Sequence, residues 1–284
     1  MVVDKISSFC GTLGNSLASL VRVALMSKRV DKLEQVSAQR EMVILGNGPS
    51  LRSLLDDHPE YLKGKDLMAV NFAANTPEFQ EFKPKHYVLA DPHFFNQDSG
   101  DPNVKTLWDN ICGVNYPMIL HVPVKMKSHP FIQRYLARRN GHRVEFFNLT
   151  PAEGFRWWRN WLYKRRWATP RPRNVMIPSI MQSLALGYKK IYLAGADHSW
   201  SRSLSVDDNN HVVSIQPHFY KDGEEEQKRV SNEYAGYHLH DILKSLYTAF
   251  SSYHLIADYA LRQNAEIINI TPGSFIDAFP RQKL

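Results

Sequence analysis

Three groups of residues have the types and spacing to do chemistry. The first is Gly46-Asn47-Gly48-Pro49-Ser50, which leaves an apolar run and leads into a helical pattern. Two glycines let backbone N–H groups approach an anion, and a helix beyond adds its positive end, so this turn is expected to hold a phosphate. It is not a P-loop, because no Gly-Lys-Ser/Thr follows, and Leu51 stands where the dinucleotide fingerprint has its third glycine. Turns of this composition also serve simply to reverse the chain. The second group is Asn71, Asp91 and Asp197, each closing a later β-rich run. Singly they read as caps or turn formers; together they converge on one crevice. The third is His238 with Asp241, three apart in a helical pattern. Asp241 would orient the ring of a base working near neutral pH, and His240 competes for the same role.

These residues need elements to position them. From Met42 onward β-rich runs alternate with helical patterns, which predicts a mostly parallel sheet flanked by helices. Strands are expected at 42–46, 67–71, 87–91, 118–122, 144–149, 190–197 and 266–271, and helices after Ser50, over 179–188 and over about 234–263. The polar stretch from Trp200 to Glu233, with SVDDNNH and KDGEEEQK, reads as a long loop or lid. Ahead of this domain, Ile6, Phe9, Cys10, Leu13, Leu17, Leu20, Val21 and Ala24 recur at helical spacing with Lys5, Arg22, Lys28, Arg29 and Lys32 around them. Residues 1–41 are therefore an appended amphipathic helix and linker, and 42–284 the main domain, with a lid at about 198–233. The helix reads either as an attachment to an anionic membrane or partner, or as a helix packed across the domain.

Composition narrows the classes. With 284 residues, 43% hydrophobic and 22% charged, the chain can bury a core and is neither disordered nor fibrous. Its net charge of +7 sits in one place. Gly154 to Arg173 contains seven basic residues, no acid and four of the six tryptophans, and outside it acids and bases balance. Arg156, Trp157, Trp158, Trp161, Arg165 and Arg166 suit a bilayer interface or a glycan acceptor, while a Trp face packed on the core is the bland alternative. Nucleic acid is not expected. The longest apolar run, Leu17 to Met26, is interrupted by Arg22, so no membrane span is expected. Cys10 and Cys112 suggest neither metal nor disulfide, which fits a reducing cytosol, and MVVDKISSF is not a secretory signal. Carboxylates are too dispersed for a divalent-metal site, and no cofactor is expected.

GNGPSL after an apolar strand, a strand ending in Asn71, and ALGYKKIYLAGAD ending at Asp197 resemble the bacterial CMP-sialic-acid-dependent sialyltransferases of glycosyltransferase family 42. The resemblance runs from Met42 to about Pro280, and GNGPSL is shared with the hydroxymethylpterin diphosphokinase-like proteins. It implies a Rossmann-like (GT-A-type variant) domain with a small lid and an inverting, metal-independent transfer of a sialyl group from a CMP-sugar to a glycan hydroxyl. It implies that Asn47, Gly48, Pro49 and Ser50 hold the donor's cytidine and phosphate, that Asn71 faces the donor, and that Arg173 lies near its phosphate; Asp91 stands where the family has another asparagine, and Asp197, at its strand end, is expected beside the donor too. It implies His238 as general base. At the family's two leaving-group tyrosines this chain has Ser199 and, nearest to the second, Tyr220.

The expectation is thus a bacterial enzyme of lipopolysaccharide or capsule biosynthesis. Its donor would be a CMP-sugar carrying sialic acid, Kdo or another nonulosonate, and its acceptor a glycan or glycolipid. It would sit in the cytoplasm, peripherally on the inner face of the cell membrane, as a possible homo-oligomer. The alternatives are an ATP-dependent diphosphokinase of the hydroxymethylpterin type and a non-catalytic membrane-associated protein.

Overall fold

Side chains alternate across the strands, and that alternation sorts them into two apolar layers. The computed structural model describes residues 2–96, 101–138, 141–213 and 236–284. In β1 (Glu41–Leu45), Met42 and Ile44 join one buried cluster, while Val43 and Leu45 join another. β2 (Asp66–Val70) repeats the pattern, with Met68 and Val70 on the first side and Leu67 and Ala69 on the other. β3 (His86–Val88), β4 (Ile119–Pro123), β5 (Arg143–Phe147), β6 (Lys190–Ala194) and, after a small hairpin of β7 (Ser205–Val206) and β8 (Val212–Val213), β9 (Glu266–Asn269) complete the set. The large sheet has seven strands in the order β5-β4-β3-β2-β1-β6-β9, every neighbouring pair parallel. Central strands covered on both faces carry continuous apolar runs, which is why the runs were legible.

Helices cover both faces. α1 (Val2–Met26) lies outside the core and exposes Phe9, Leu13, Leu17 and Leu25. α2 (Ser50–Asp57), α3 (Pro77–Phe82), α4 (Pro102–Gly113) and α5 (Pro130–Leu136) bury Leu51, Phe79, Trp108 and Tyr135 on one side of the sheet. α6 (Arg156–Lys164), α7 (Met176–Ala185) and α8 (Leu239–Arg262) bury Leu162, Ile177, Ile180, Tyr253 and Ile256 on the other. This is a Rossmann-like α/β fold with an additional amino-terminal helix.

Some expectations need correcting. Helices α3, α4 and α5 were not anticipated, although Pro77, Pro102 and Pro130 each stand in a first helical turn, where a missing N–H costs nothing. α7 begins at Met176 and stops at Ala185, ahead of Gly187, whose φ of +94° ends the segment. The hairpin β7–β8 lies within the stretch read as loop, because Asp207 Oδ1 accepts from the amides of Asn209 (2.9 Å) and His211 (2.8 Å) and tightens the turn. α1 also differs from the reading that Arg22 disqualifies a membrane helix. Within Lys5–Met26 an 18-residue window reaches a mean hydropathy of 1.3, and by length and composition the helix could cross a membrane. Residues 214–235, including Tyr220 and most of the expected lid, lie outside the described residues.

Candidate active site

The chain leaves β1 toward β2 on one side and returns to β6 on the other, so the strand order reverses between them. In open parallel sheets ligands bind beyond the carboxyl ends of the strands at such a reversal. Here the two turns press backbone against backbone. The Gly46 amide donates to the Ala194 carbonyl and the Gly48 amide to the Gly195 carbonyl, both at 2.8 Å. A Cβ on Gly48 would stand 2.0 Å from Asp197 Oδ2 and 2.7 Å from the Gly195 oxygen. Gly195 adopts φ +62°, a left-handed conformation that favours glycine.

This packing alters the expected role of the turn. The Gly48 amide, expected to face a phosphate, is used internally. Ser50 Oγ donates to Asp197 Oδ2 at 2.7 Å, and the Ser50 amide to Asp197 Oδ1 at 3.4 Å. A carboxylate of the chain itself therefore occupies the amino end of α2, where an external anion was expected.

Asn47 and Asn71 are placed differently. Asn47 Nδ2 donates to the Val70 carbonyl at 3.2 Å, which fixes the amide, and its Oδ1 is buried without a partner. Asn71, the residue after β2, has φ +51°, and its Oδ1 is likewise buried and unpartnered. Unmet buried acceptors cost free energy unless a donor arrives. Both residues are partly exposed although these two oxygens are not, so a ligand hydroxyl or amine becomes that donor only if the side chains shift to admit it.

Arg173 is exposed and stands directly before a linked set of polar groups that sequence reading missed. Asn174 Oδ1 caps α7, accepting from the amides of Met176 (3.0 Å) and Ile177 (3.3 Å), and also accepts from Tyr253 Oη at 2.9 Å. Tyr253 Oη in turn pairs with His198 Nε2 at 3.0 Å. This links the Arg173 segment to the turn after β6. His198 is buried, with φ +49°, and burial pushes its pKa down to about 4, so its ring is neutral near pH 7. Its position beside Asp197 at a strand end, and the cap-forming type of Asn174, were the available signals.

The expected acid–base pair is not assembled as a pair. His238 is exposed at the start of α8, and its backbone amide donates to Asp241 Oδ2 at 3.2 Å. Asp241 Oδ1 lies 3.4 Å from His240 Nε2, and the His238 and His240 rings stack with centroids 5.9 Å apart. Asp241 thus caps the helix and does not hold the His238 ring. Asp91 is exposed and accepts from the His93 amide at 2.8 Å, capping the turn Pro92–Phe95. Ser199 is half-buried at the start of the turn Trp200–Ser203 and accepts the Arg202 amide through its carbonyl at 2.9 Å.

The basic aromatic segment divides between structure and surface. Arg166 is half-buried; it donates to the carbonyls of Asp31 and, at 2.7 Å, Phe146, and desolvation lowers its pKa. It ties the linker to β5, and this contradicts its expected role in acceptor or membrane contact. Arg156 and Arg159 both bond Asp258 of α8, the second at 3.0 Å. Trp158 packs against the core, with Trp161 stacked on it at 5.4 Å, whereas Trp157 is 72% exposed. Lys164 and Arg165 are exposed, and the Arg165 guanidinium lies 5.5 Å from the Trp161 ring centre. Among the described residues no group of three or more His, Cys, Asp or Glu side chains is arranged to hold a metal ion.

No protein-family model matches the sequence, and no curated protein matches it. Among solved structures, the MAf glycosyltransferase from Magnetospirillum magneticum AMB-1 is similar, with 14% identity and a TM-score of 0.50. The match covers 93% of this chain and 38% of that one, and at this identity it speaks to the fold alone.

Proposed function

We propose that the protein is an inverting, metal-independent glycosyltransferase that moves an acidic sugar from a CMP-sugar to a hydroxyl of a lipid-linked or surface glycan. The observation that carries this reading is the pair of unpartnered carbonyl oxygens on Asn47 and Asn71 at the reversal of strand order. Acceptors complement donors, and a cytidine has them in its ribose hydroxyls and exocyclic amine. The similar fold of a solved glycosyltransferase agrees with this class.

In the reaction, an acceptor oxygen attacks the anomeric carbon from the face opposite the nucleotide. The bond from that carbon to the phosphate oxygen breaks, and its electron pair leaves with CMP. The state between is oxocarbenium-like, so negative charge grows on the departing phosphate. With the Asp197 carboxylate at the amino end of α2, the exposed cation Arg173 is the group that meets this charge. The acceptor proton passes to a base, for which His238 is proposed.

Thermal melts with CMP, UDP, GTP and ATP plus magnesium test the reading, since a ligand that binds only the folded state raises Tm. CMP alone among these is expected to raise it. A response to ATP with magnesium but not to CMP would support a diphosphokinase, and no response at all would remove the enzymatic reading.

A further inference from the structure

We propose that α1 and α6 together form a docking face that seats in the headgroup layer of an anionic bilayer. This rests on the surface alone and not on the nucleotide reading. On α1, Phe9, Leu13, Leu17 and Leu20 recur three or four residues apart and are 57%, 41%, 56% and 48% exposed. The adjoining strip of the helix is tied to the domain, and the centre of the Phe9 ring at its border lies 5.6 Å from that of Phe155. Ser16 Oγ accepts the Phe155 amide at 2.9 Å and Ser19 Oγ the Glu153 amide at 2.8 Å, and a Cβ on Gly154 would fall 2.6 Å from the Ser16 nitrogen. At the far end Ser27 Oγ donates to the Trp167 carbonyl at 2.6 Å. The helix is thereby held along the flanks of α6. That geometry suits lying in an interface and does not suit crossing one.

Charge indicates what covers the face. From Lys5 to Val30 there is no acid, and none from Gly154 to Arg173. Exposed Lys28, Arg29 and Lys32 follow α1, and exposed Lys164 and Arg165 end α6. The contacts of Ser27 with Trp167 and of Arg166 with Asp31 bring these two groups side by side. A second copy placed on this face would set cations against cations, whereas anionic lipid neutralises them and accepts the indole edges of Trp157 and Trp161.

The full chain is mixed with phosphatidylcholine vesicles with and without phosphatidylglycerol, and binding is read by sedimentation and tryptophan emission. Binding to the anionic vesicles with a blue shift is expected, weakening roughly tenfold or more as salt screens the lysines and arginines. The double change Leu17→Glu with Leu20→Glu should lower partitioning by at least ~100-fold. Leu243→Glu, at an exposed leucine of α8, should leave it unchanged. Both leucines of α1 are exposed, so an unaltered melt establishes that the double variant still folds. The proposal is overturned if wild type ignores both vesicle types, if the double variant binds as well as wild type, or if wild type is a dimer that this variant dissociates.

Discussion

At the amino ends of the strands, the chain pairs its buried polar groups with one another. Asp66, at the start of β2, accepts from Tyr188 Oη at 2.6 Å, from Lys85 Nζ at 3.0 Å and from Arg40 Nε at 3.2 Å. His86 Nε2 lies 3.1 Å from Tyr188 Oη, and His86 Nδ1 lies 3.0 Å from His121 Nε2. Burial pushes His86 down to about 3 and holds His121 well below the ordinary histidine range, so both rings are neutral near pH 7. His121 Nδ1 is left over, yet His121 is fully enclosed and no ligand reaches it. At the carboxyl ends the pattern inverts. The leftover acceptors on Asn47 and Asn71 are on partly exposed residues, and Asn71, Gly195 and His198 hold left-handed backbone there. Polar groups matched internally stabilise a fold, and the unmatched oxygens of Asn47 and Asn71, buried on residues that are otherwise partly exposed, are the ones the proposed ligand would satisfy.

The largest expected effect belongs to Gly48→Ala, whose methyl would meet the Asp197 carboxylate at 2.0 Å and the Gly195 carbonyl at 2.7 Å. Separation of the two turns at the Gly195 carbonyl should cost about 3 kcal/mol in denaturant unfolding. Wild-type stability in that variant would mean that the carboxyl edge is not packed as described.

The next effect tests the amino edge. Burial raises the pKa of Asp66, but hydrogen bonds from Arg40, Tyr188 and Lys85 outweigh it and hold the group at about 2, below its ordinary 3.8. Its folded pKa is depressed, so its stabilisation is fully present above the unfolded pKa and fades as pH falls from about 4 toward 2. The loss amounts to ~2 kcal/mol, with nucleotide binding at neutral pH untouched. Asp66→Asn should flatten this acid limb while lowering stability at pH 7, as measured by urea melts across pH.

The smallest effect concerns Asp241→Asn. Because its carboxylate caps α8 instead of orienting the His238 ring, turnover of a CMP-sugar should change less than about threefold, and stability by less than ~1 kcal/mol. A hundredfold loss of turnover would restore the catalytic pair read from sequence.

The layers were legible because buried parallel strands carry apolar runs, and all seven strands fall where those runs lie. Gly46, Asn71 and Asp197 were legible as strand ends because polar or glycine residues interrupt the runs. What those ends do was not. Whether the Gly48 amide faces a ligand or the Gly195 carbonyl depends on a second turn some 150 residues away. No spacing within the first turn reports it. The same holds for Arg166, indistinguishable in sequence from Arg165, of which one is half-buried and bonded to the linker and the other exposed.

Titration calorimetry of CMP against wild type and Asn71→Gly tests the central claim most directly. Glycine adopts φ +51° without strain, so the change removes the unpartnered carbonyl while leaving the turn intact. The account predicts that wild type binds CMP and that the variant, equally stable, binds it at least ~10-fold more weakly. No CMP binding by wild type, or equal affinity in the two proteins, would contradict it.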